Sequence, residues 1–465
     1  MIISCFIFLL VVGCRLPAIS QTVIIKGKAD TNYLSFANTI YAYTYDDFIS
    51  FREKELAKSK LDEKGNFNLS FPASAPIYVF LTIDNAKAEM ICEPNKTYDI
   101  AFLAKDSNSA NTLSIAVPVE LEFNNSSETE LNYLMADFTS RFETFLEDHR
   151  GMIAKKESAI FEKIDTMKTL SIKKYYVYNN AYLNNYIEYS FASLIERIAL
   201  KGDRKIYKSF IDNKPVQYGN YDYMTFFNQY YSFVSNSFMN NPKTETEVER
   251  QIFSSLMDYF SQNDFLENDT VCEMVILKSF AEHSRYPTKY KINSMLVILE
   301  QAGKECRSEA NRKSAENLRK KLSVMAVGKP VSQMSLQNMD GNPVLLSIFK
   351  GRYVYLTFWT SWSSSSTQEL TLIPELKKLY GSKISFVSIC VDKKAETMKN
   401  FLKKNSKLDW TFLYCDNYKK AKEEFNVLTV PAYFLIDPKG NVFKSPAPAP
   451  ADIVPLFTKI KKKQL

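Results

Sequence analysis

The spacing of apolar and polar positions changes twice along the chain and divides it into three parts. From residue 21 to residue 118, short apolar or alternating runs are separated by Gly, Pro, Asn and Asp. The run IYVFLTI at 77–83, which ends at Asp84-Asn85, is a clear example. Short runs of this kind, bounded by turn residues, predict strands. We therefore predict a β-sandwich-like N-terminal domain over 21–118.

From residue 119 to residue 326 the apolar positions recur every three or four residues, which is typical of amphipathic helices. Two stripes show this period, one of them mainly phenylalanine and the other tyrosine: Leu131, Leu134, Phe138, Phe142 and Phe145, then Tyr175, Tyr178, Tyr182, Tyr186 and Tyr189. Such a stripe can line a peptide-binding groove, but aromatic side chains on a helix face more often form core. We interpret this part as a helical middle domain and both stripes as core.

From residue 327 to residue 465, strand patterns alternate with helical patterns. The predicted strands lie at 353–362, 384–389, 411–414 and 432–437, and the predicted helices at 366–380, 395–404 and 419–425. Alternating units of this kind predict a mainly parallel sheet covered by helices. The fold class expected for the whole chain is therefore multidomain α+β, with an α/β domain at its C-terminal end.

The first twenty residues predict a signal peptide. Their apolar run at 6–12 is too short to span a bilayer and suits the central region of an export signal. Two processing outcomes remain open. The VVGC sequence at 11–14 resembles a bacterial lipoprotein box, which would lipidate Cys14, whereas the AIS sequence before Gln21 resembles a cleavage site that releases a soluble protein. Both outcomes place the protein in the cell envelope, either in the periplasm or anchored to a membrane by lipid.

Charge and chemistry exclude several function classes. The 59 Lys and Arg against 52 Asp and Glu give a net charge of only +7, and the lysines at 461–463 are interpreted as a solvated helix end, so no nucleic-acid partner is expected. His149 and His283 fit no ligand spacing, and no metal or other cofactor is expected. Beyond the signal five cysteines remain, in no metal or redox spacing: Cys92, Cys272, Cys306, Cys390 and Cys415.

Residues 327–465 resemble the TlpA-like and redoxin branch of the thioredoxin superfamily. The resemblance rests on FWTSW at 358–362, on VPAYFLID at 430–437 and on the Lys439-Gly440 pair that follows. It implies a thioredoxin fold, thiol–disulfide exchange, and a role for Pro431 as the cis-proline facing the active-site turn, where its backbone pairs with extended substrate. The N-terminal part also resembles, through DEKGNF at 62–67 and EPNKTY at 93–98, a β-rich domain of unknown function that precedes thioredoxin-like domains in bacterial envelope proteins.

The chain departs from this family at the positions that carry its chemistry. Ser363 and Ser366 occupy the two cysteine positions, and Thr371 stands where the family has a proline that kinks the active-site helix. A serine hydroxyl supplies no thiolate and forms no disulfide. A nucleophilic serine would need a general base, and residues 327–465 contain no histidine. The STQE sequence at 366–369 matches a capping box, so we expect Ser366 to cap the helix; an anion docked at this helix end is the alternative.

Two functions are consistent with these residues. The first is an exported protein with a degenerate, redox-inactive site that binds or scaffolds a protein or peptide partner in the cell envelope. The second is an envelope thiol–disulfide oxidoreductase that uses Cys390 and Cys415. These two follow neighbouring strands whose carboxyl ends would meet at one edge of a parallel sheet.

Export is testable on the mature protein. Mass spectrometry of the N-terminus, after expression in the native host, should show either a lipidated Cys14 or a chain that begins at Gln21. An intact Met1 in that host would contradict the envelope assignment.

Overall fold

The computed structural model describes residues 21–35, 37–84, 86–103, 117–124, 127–284, 290–392, 394–416, 418–427 and 429–463. The predicted signal peptide, with Cys14, lies outside these residues. Within them the predicted fold class is confirmed, because a β-rich N-terminal part is followed by a helical middle and a C-terminal α/β part.

The N-terminal part consists of two sheets packed face to face. Its strands β1 to β9 are Gln21–Ala29, Thr39–Tyr45, Glu53–Lys60, Asn66–Ala73, Ile77–Ile83, Ala86–Cys92, Thr97–Phe102, Val117–Pro118 and Leu121–Asn124. One sheet has the order β4-β1-β7-β9 and the other β3-β2-β5-β6-β8. Alternate residues of both sheets, such as Ile25, Phe71 and Leu81, meet in one buried core.

Strand β5 is buried on both faces, which explains its unbroken apolar sequence. Val79 and Leu81 belong to the core between the two sheets. Tyr78 and Phe80 point the other way and join the core of the helical middle. The Tyr78 ring stacks on Tyr221 with centroids 4.2 Å apart and planes 7° from parallel. The second sheet is therefore a shared layer between the N-terminal domain and the helices.

The helical middle packs around a single large core. Its helices α1 to α12 are Leu131–Asp148, Arg150–Lys155, Ile160–Tyr175, Ala181–Ile198, Arg204–Phe210, Tyr221–Tyr230, Ser232–Asn240, Pro242–Arg250, Phe253–Phe260, Asp269–His283, Ile292–Glu305 and Glu309–Ser323. The tyrosine stripe spans two helices, because the Asn180 side chain caps α4 and interrupts it. Tyr175, Tyr182 and Tyr189 are buried, as a core stripe requires, whereas Tyr178 is exposed.

The C-terminal part is a sheet with the order β11-β10-β14-β13-β12-β15-β16. Its strands β10 to β16 are Leu336–Gln337, Pro343–Val344, Tyr353–Trp359, Ile384–Cys390, Thr411–Tyr414, Ala432–Ile436 and Val442–Lys444, and its helices α13 to α17 are Ser364–Leu370, Ile373–Tyr380, Ala395–Lys404, Tyr418–Phe425 and Val454–Lys463. Strands β12, β13 and β14 are parallel, and β15 runs antiparallel to β12. The carboxyl ends of the parallel strands thus meet at one edge of the sheet.

Polar contacts join the three parts. The buried Asn317 side chain on α12 donates to the carboxylates of Asp46, at 2.9 Å, and Asp47, at 3.0 Å, and accepts from Arg52 at 2.8 Å. Lys422 on α16 reaches Glu53 on β3 at 3.1 Å. The loop and strand at 46–53 therefore contact both the helical middle and the C-terminal part.

A carboxyl group inside the helical middle makes its stability depend on pH. Asp222 lies in the first turn of α6, and its Oδ2 is buried with no hydrogen-bond partner among the residues described. Burial is the main cause that raises the pKa of Asp222 from 3.8 to about 7. This pKa is higher in the folded chain than in the unfolded one, so the folded state is favoured when the Asp222 carboxyl is protonated. Its contribution to the free energy of unfolding is therefore complete below about pH 4 and is lost as the pH rises through about 7.

The variant Asp222→Asn should remove this dependence. We expect its free energy of unfolding to exceed that of the parent at pH 8 by up to about 4 kcal/mol and to match it near pH 4. Urea unfolding at both values, followed by circular dichroism, measures the difference. Asp165→Asn, at an exposed position of α3, is the control and should leave the pH profile unchanged. Equal profiles for the Asp222→Asn variant and the parent would contradict the prediction.

Candidate functional site

Ser363 lies at the start of α13, directly after the turn that follows β12. Its Oγ accepts a hydrogen bond from the Ser366 backbone N–H at 3.3 Å and lies 3.0 Å from the Ser365 hydroxyl. The turn itself is fixed from the neighbouring strand, because the Ser361 N–H donates to the Asp392 carboxylate at 3.1 Å. Ser363 is only 3 % exposed, whereas the adjacent Trp362 is 51 % exposed.

The structure corrects two expectations about this helix. The residue that caps it is Ser363 and not Ser366, because the helix begins at Ser364 and Ser363 is the first hydroxyl able to accept its free amides. The predicted helix at 366–380 is two helices, α13 and α14. Pro374 has no N–H for the Leu370 carbonyl and its ring would clash there, so the helix ends at Leu370 and restarts with Pro374 in its first turn. A proline thus still breaks the helix, three residues after Thr371.

Ser366 faces the interior and shares that environment with other polar groups. It is 1 % exposed, and it lies one helical turn before Glu369 on α13. Burial, and next the Glu369 carboxylate, raise the pKa of Tyr433 on β15. Several buried polar atoms of this region have no hydrogen-bond partner within the described protein: Thr357 Oγ1, Trp359 Nε1, Thr360 Oγ1, Ser366 Oγ, Glu369 Oε2 and Tyr433 OH.

Apart from Ser366, these polar groups were not among the candidates from sequence. The spacing of three between Ser366 and Glu369 places both on one helix face and was a usable signal. The others depend on strand register, in which Thr357 pairs with Tyr433 across β12 and β15. Strand register brings together residues that are far apart in sequence, so a local sequence pattern does not predict which of them become neighbours.

Pro431 lies just before β15, and the Val430–Pro431 peptide bond is cis. It lines a cavity of about 220 Å³ together with Tyr433 and Pro446. The opposite wall comes from the helical middle and the segment after it, and includes Ile292, Leu322 and Met325. The surface that the family resemblance assigns to extended substrate is therefore enclosed in part by another region of the same chain.

Cys390 and Cys415 lie close in the backbone but face opposite sides of the sheet. The Cys415 N–H donates to the Cys390 carbonyl at 2.9 Å. The Cys390 side chain packs with Tyr355 and Trp359 on one face, whereas Cys415 belongs to the cluster on the other face. Burial, followed by the nearby Asp392 carboxylate, raises the pKa of Cys390. A thiol in this environment holds little thiolate at neutral pH.

The remaining candidate residues lie away from this site. Cys92 is buried in the N-terminal sandwich, and Cys272 and Cys306 are buried in the helical core. Burial raises the pKa of Cys272 to about 12. His149 and His283 belong to the helical middle. Over the described ranges no group of three or more His, Cys, Asp or Glu residues is arranged to hold a metal ion. None of the helices in these ranges combines the length and the apolar composition that a membrane span requires.

Comparisons with known proteins match the C-terminal part. A family model described as thioredoxin-like matches residues 351–442. The chain is 28 % identical over 122 residues to the thiol-disulfide oxidoreductase ResA of Bacillus thuringiensis, covering 26 % of this chain and 69 % of that protein. It is 26 % identical over 115 residues to the thioredoxin-like protein YneN of Bacillus subtilis, covering 25 % and 68 %.

Among solved structures, the chain is similar to the thioredoxin domain of a thiol-disulfide oxidoreductase from Bacteroides vulgatus. The identity is 21 %, the TM-score is 0.26, and the match covers 30 % of this chain and 96 % of that one. The family model and the curated relatives confirm the resemblance predicted from the sequence: residues 351–442 match the thioredoxin-like family model, and the C-terminal part of the chain is similar to thiol-disulfide oxidoreductases.

Proposed function

We propose that this is an exported cell-envelope protein whose thioredoxin-like domain no longer exchanges disulfides and instead binds or scaffolds a protein or peptide partner. The observation that carries the proposal is the pair Ser363 and Ser366. Both hydroxyls occupy positions where the family has sulfur, and both are almost completely buried. Ser363 accepts an amide hydrogen at the helix start, which is a structural task that needs no thiol.

The chemistry of the surrounding groups supports the loss of exchange. Disulfide exchange requires attack by a thiolate on sulfur. The thiol of Cys390 is buried and has a raised pKa, and Cys415 lies on the other side of the sheet. The alternative, an oxidoreductase that uses these two cysteines, would require the backbone to move before their sulfur atoms could approach.

The retained surface supports a binding role. Trp362 is half exposed beside the helix start, and tryptophan is among the residues most often found at the energetic centres of protein interfaces. The cavity at Pro431 has apolar and neutral polar walls, with Thr429, Tyr433 and Ser445 among its polar members. An extended, uncharged peptide segment matches this lining better than a charged ligand does.

An insulin-reduction assay tests the loss of exchange. In the presence of dithiothreitol, we expect the parent protein to reduce insulin no faster than the buffer blank, because all five cysteines among the described residues are buried. Cys390→Ser should behave like the parent, and a ResA-type relative with both cysteines is the positive control. Activity in the parent that disappears in Cys390→Ser would favour the alternative function.

Restoring both cysteines tests the placement of the site. Ser363→Cys with Ser366→Cys should form an internal disulfide on mild oxidation, because the two positions share the first turn of α13 and its amides favour the thiolate at 363. Thiol titration in denaturant should show both new thiols before oxidation and neither afterwards. Ser364→Cys with Ser366→Cys is the matched control, since position 364 is exposed and 366 points inward.

The two pairs distinguish the interpretations. If the control pair oxidises as readily as the first pair, or if the first pair remains reduced in a folded protein, the assignment of Ser363 and Ser366 to the family's cysteine positions is wrong.

A further inference from the structure

The end of the C-terminal sheet opposite Ser363 carries a dense positive charge. Residues 327–465 hold about twice as many Lys and Arg as Asp and Glu, although the whole chain has 59 against 52. Many of these cations lie where β12 and β13 begin and where α14 and α17 end. We call this surface the basic end and define it by Lys350, Arg352, Lys377, Lys378, Lys383 and Lys461.

Contacts between these segments make the basic end one continuous surface. Ile348, Lys350, Arg352 and Lys377 line a shallow cleft of about 590 Å³ whose walls come entirely from the C-terminal part. The Arg352 guanidinium donates to the Gly381 carbonyl, which ties the start of β12 to the end of α14. The Lys461 ammonium donates to the Leu379 carbonyl at 3.3 Å, which adds α17.

The basic end has few carboxylates to neutralise it. Asp409 pairs with Lys377 at 3.2 Å. Asp437 accepts the backbone N–H groups of Lys439, at 2.9 Å, and Asn441, at 2.8 Å, and so serves its own turn. Within the described part of the chain Lys350, Lys378 and Lys383 pair with no carboxylate. Their charges are available to an external anionic surface.

Exposed apolar side chains lie among these cations. Ile348 is 66 % exposed and Leu379 is 55 % exposed. Leu345 and Phe443 are also exposed, and the Phe443 ring packs edge-on against Tyr353 at 5.3 Å, next to Arg352. Surfaces that enter the interface of a lipid bilayer have this composition, in which lysine and arginine are interspersed with aliphatic and aromatic side chains. A nucleic-acid backbone would use the cations but offers no place for Ile348 and Leu379.

We propose that the basic end docks on a membrane surface rich in anionic lipids. Lys350, Lys378 and Lys383 would contact the headgroup phosphates, and Ile348 and Leu379 would enter the boundary between headgroups and acyl chains. The charge excess and the exposed apolar groups carry this inference, which does not depend on the redox state of the domain.

Vesicle binding tests the proposal. The chain from Gln21 onwards, which carries no lipid, is sedimented with vesicles of phosphatidylcholine containing about 30 % phosphatidylglycerol, and separately with pure phosphatidylcholine. We expect binding to the anionic vesicles alone, and weaker binding as salt rises. The triple variant Lys350→Glu, Lys378→Glu and Lys383→Glu should lose at least about tenfold in affinity.

A matched variant controls for net charge. The control is a triple variant at three exposed lysines of the helical middle: Lys163→Glu, Lys173→Glu and Lys205→Glu. It changes the net charge by the same amount and should bind anionic vesicles like the parent. Ile348→Ser with Leu379→Ser should weaken binding and increase its salt sensitivity. Thermal melting establishes that each variant is folded. No binding to anionic vesicles, equal loss in both triple variants, or binding to duplex DNA stronger than to vesicles would overturn the proposal.

Discussion

The architecture depends on strands that are buried on both faces, and β5 and β12 are the ones that matter most for the site. Such a strand has no side exposed to water, so each of its faces must be covered by a separate layer. For β5 the layers are the opposing sheet and the helical core, which it reaches through Tyr78 and Phe80. For β12 they are the clusters that contain Leu356 and Phe358 on one side and Tyr355 and Trp359 on the other. Full burial of each such side chain contributes roughly 1.5–3 kcal/mol to the stability of the fold. The packing of β12 on both faces therefore holds the turn that follows it in place.

This constraint explains how the turn and the helix start can keep their shape with serine at positions 363 and 366. The position of Ser363 is set by β12 behind it and by the bond from Ser361 to Asp392 beside it, neither of which involves sulfur. At the helix start a free amide needs an acceptor, and a serine hydroxyl meets that need well. The helix break is preserved in the same way, because any proline near this point removes an amide and forces a restart, and Pro374 serves as well as one at 371.

The sequence predicts well what local patterns determine. Strands β12, β13 and β14 and helix α15 follow from apolar runs and spacing, and the family resemblance follows from ordered motifs. The predicted start of α13 was wrong by two residues. Four consecutive serines offer several candidate caps, and which of them caps the helix depends on where β12 ends. The side of the sheet to which each of Cys390 and Cys415 points depends on the pleat and register of β13 and β14. The cavity at Pro431 depends on the docking of the helical middle, which no motif encodes.

The Pro431 cavity and the basic end lie near opposite ends of β12. Arg352 precedes the first residue of β12 and Trp359 is its last, so seven residues at about 3.3 Å each separate the basic end from the helix start by roughly 20 Å. At that distance one surface can be occupied without obstructing the other. The helical middle contributes walls to the Pro431 cavity but none to the cleft at the basic end. A membrane bound at the basic end would therefore leave the Pro431 cavity on the side facing away from the lipid, accessible to a partner in solution.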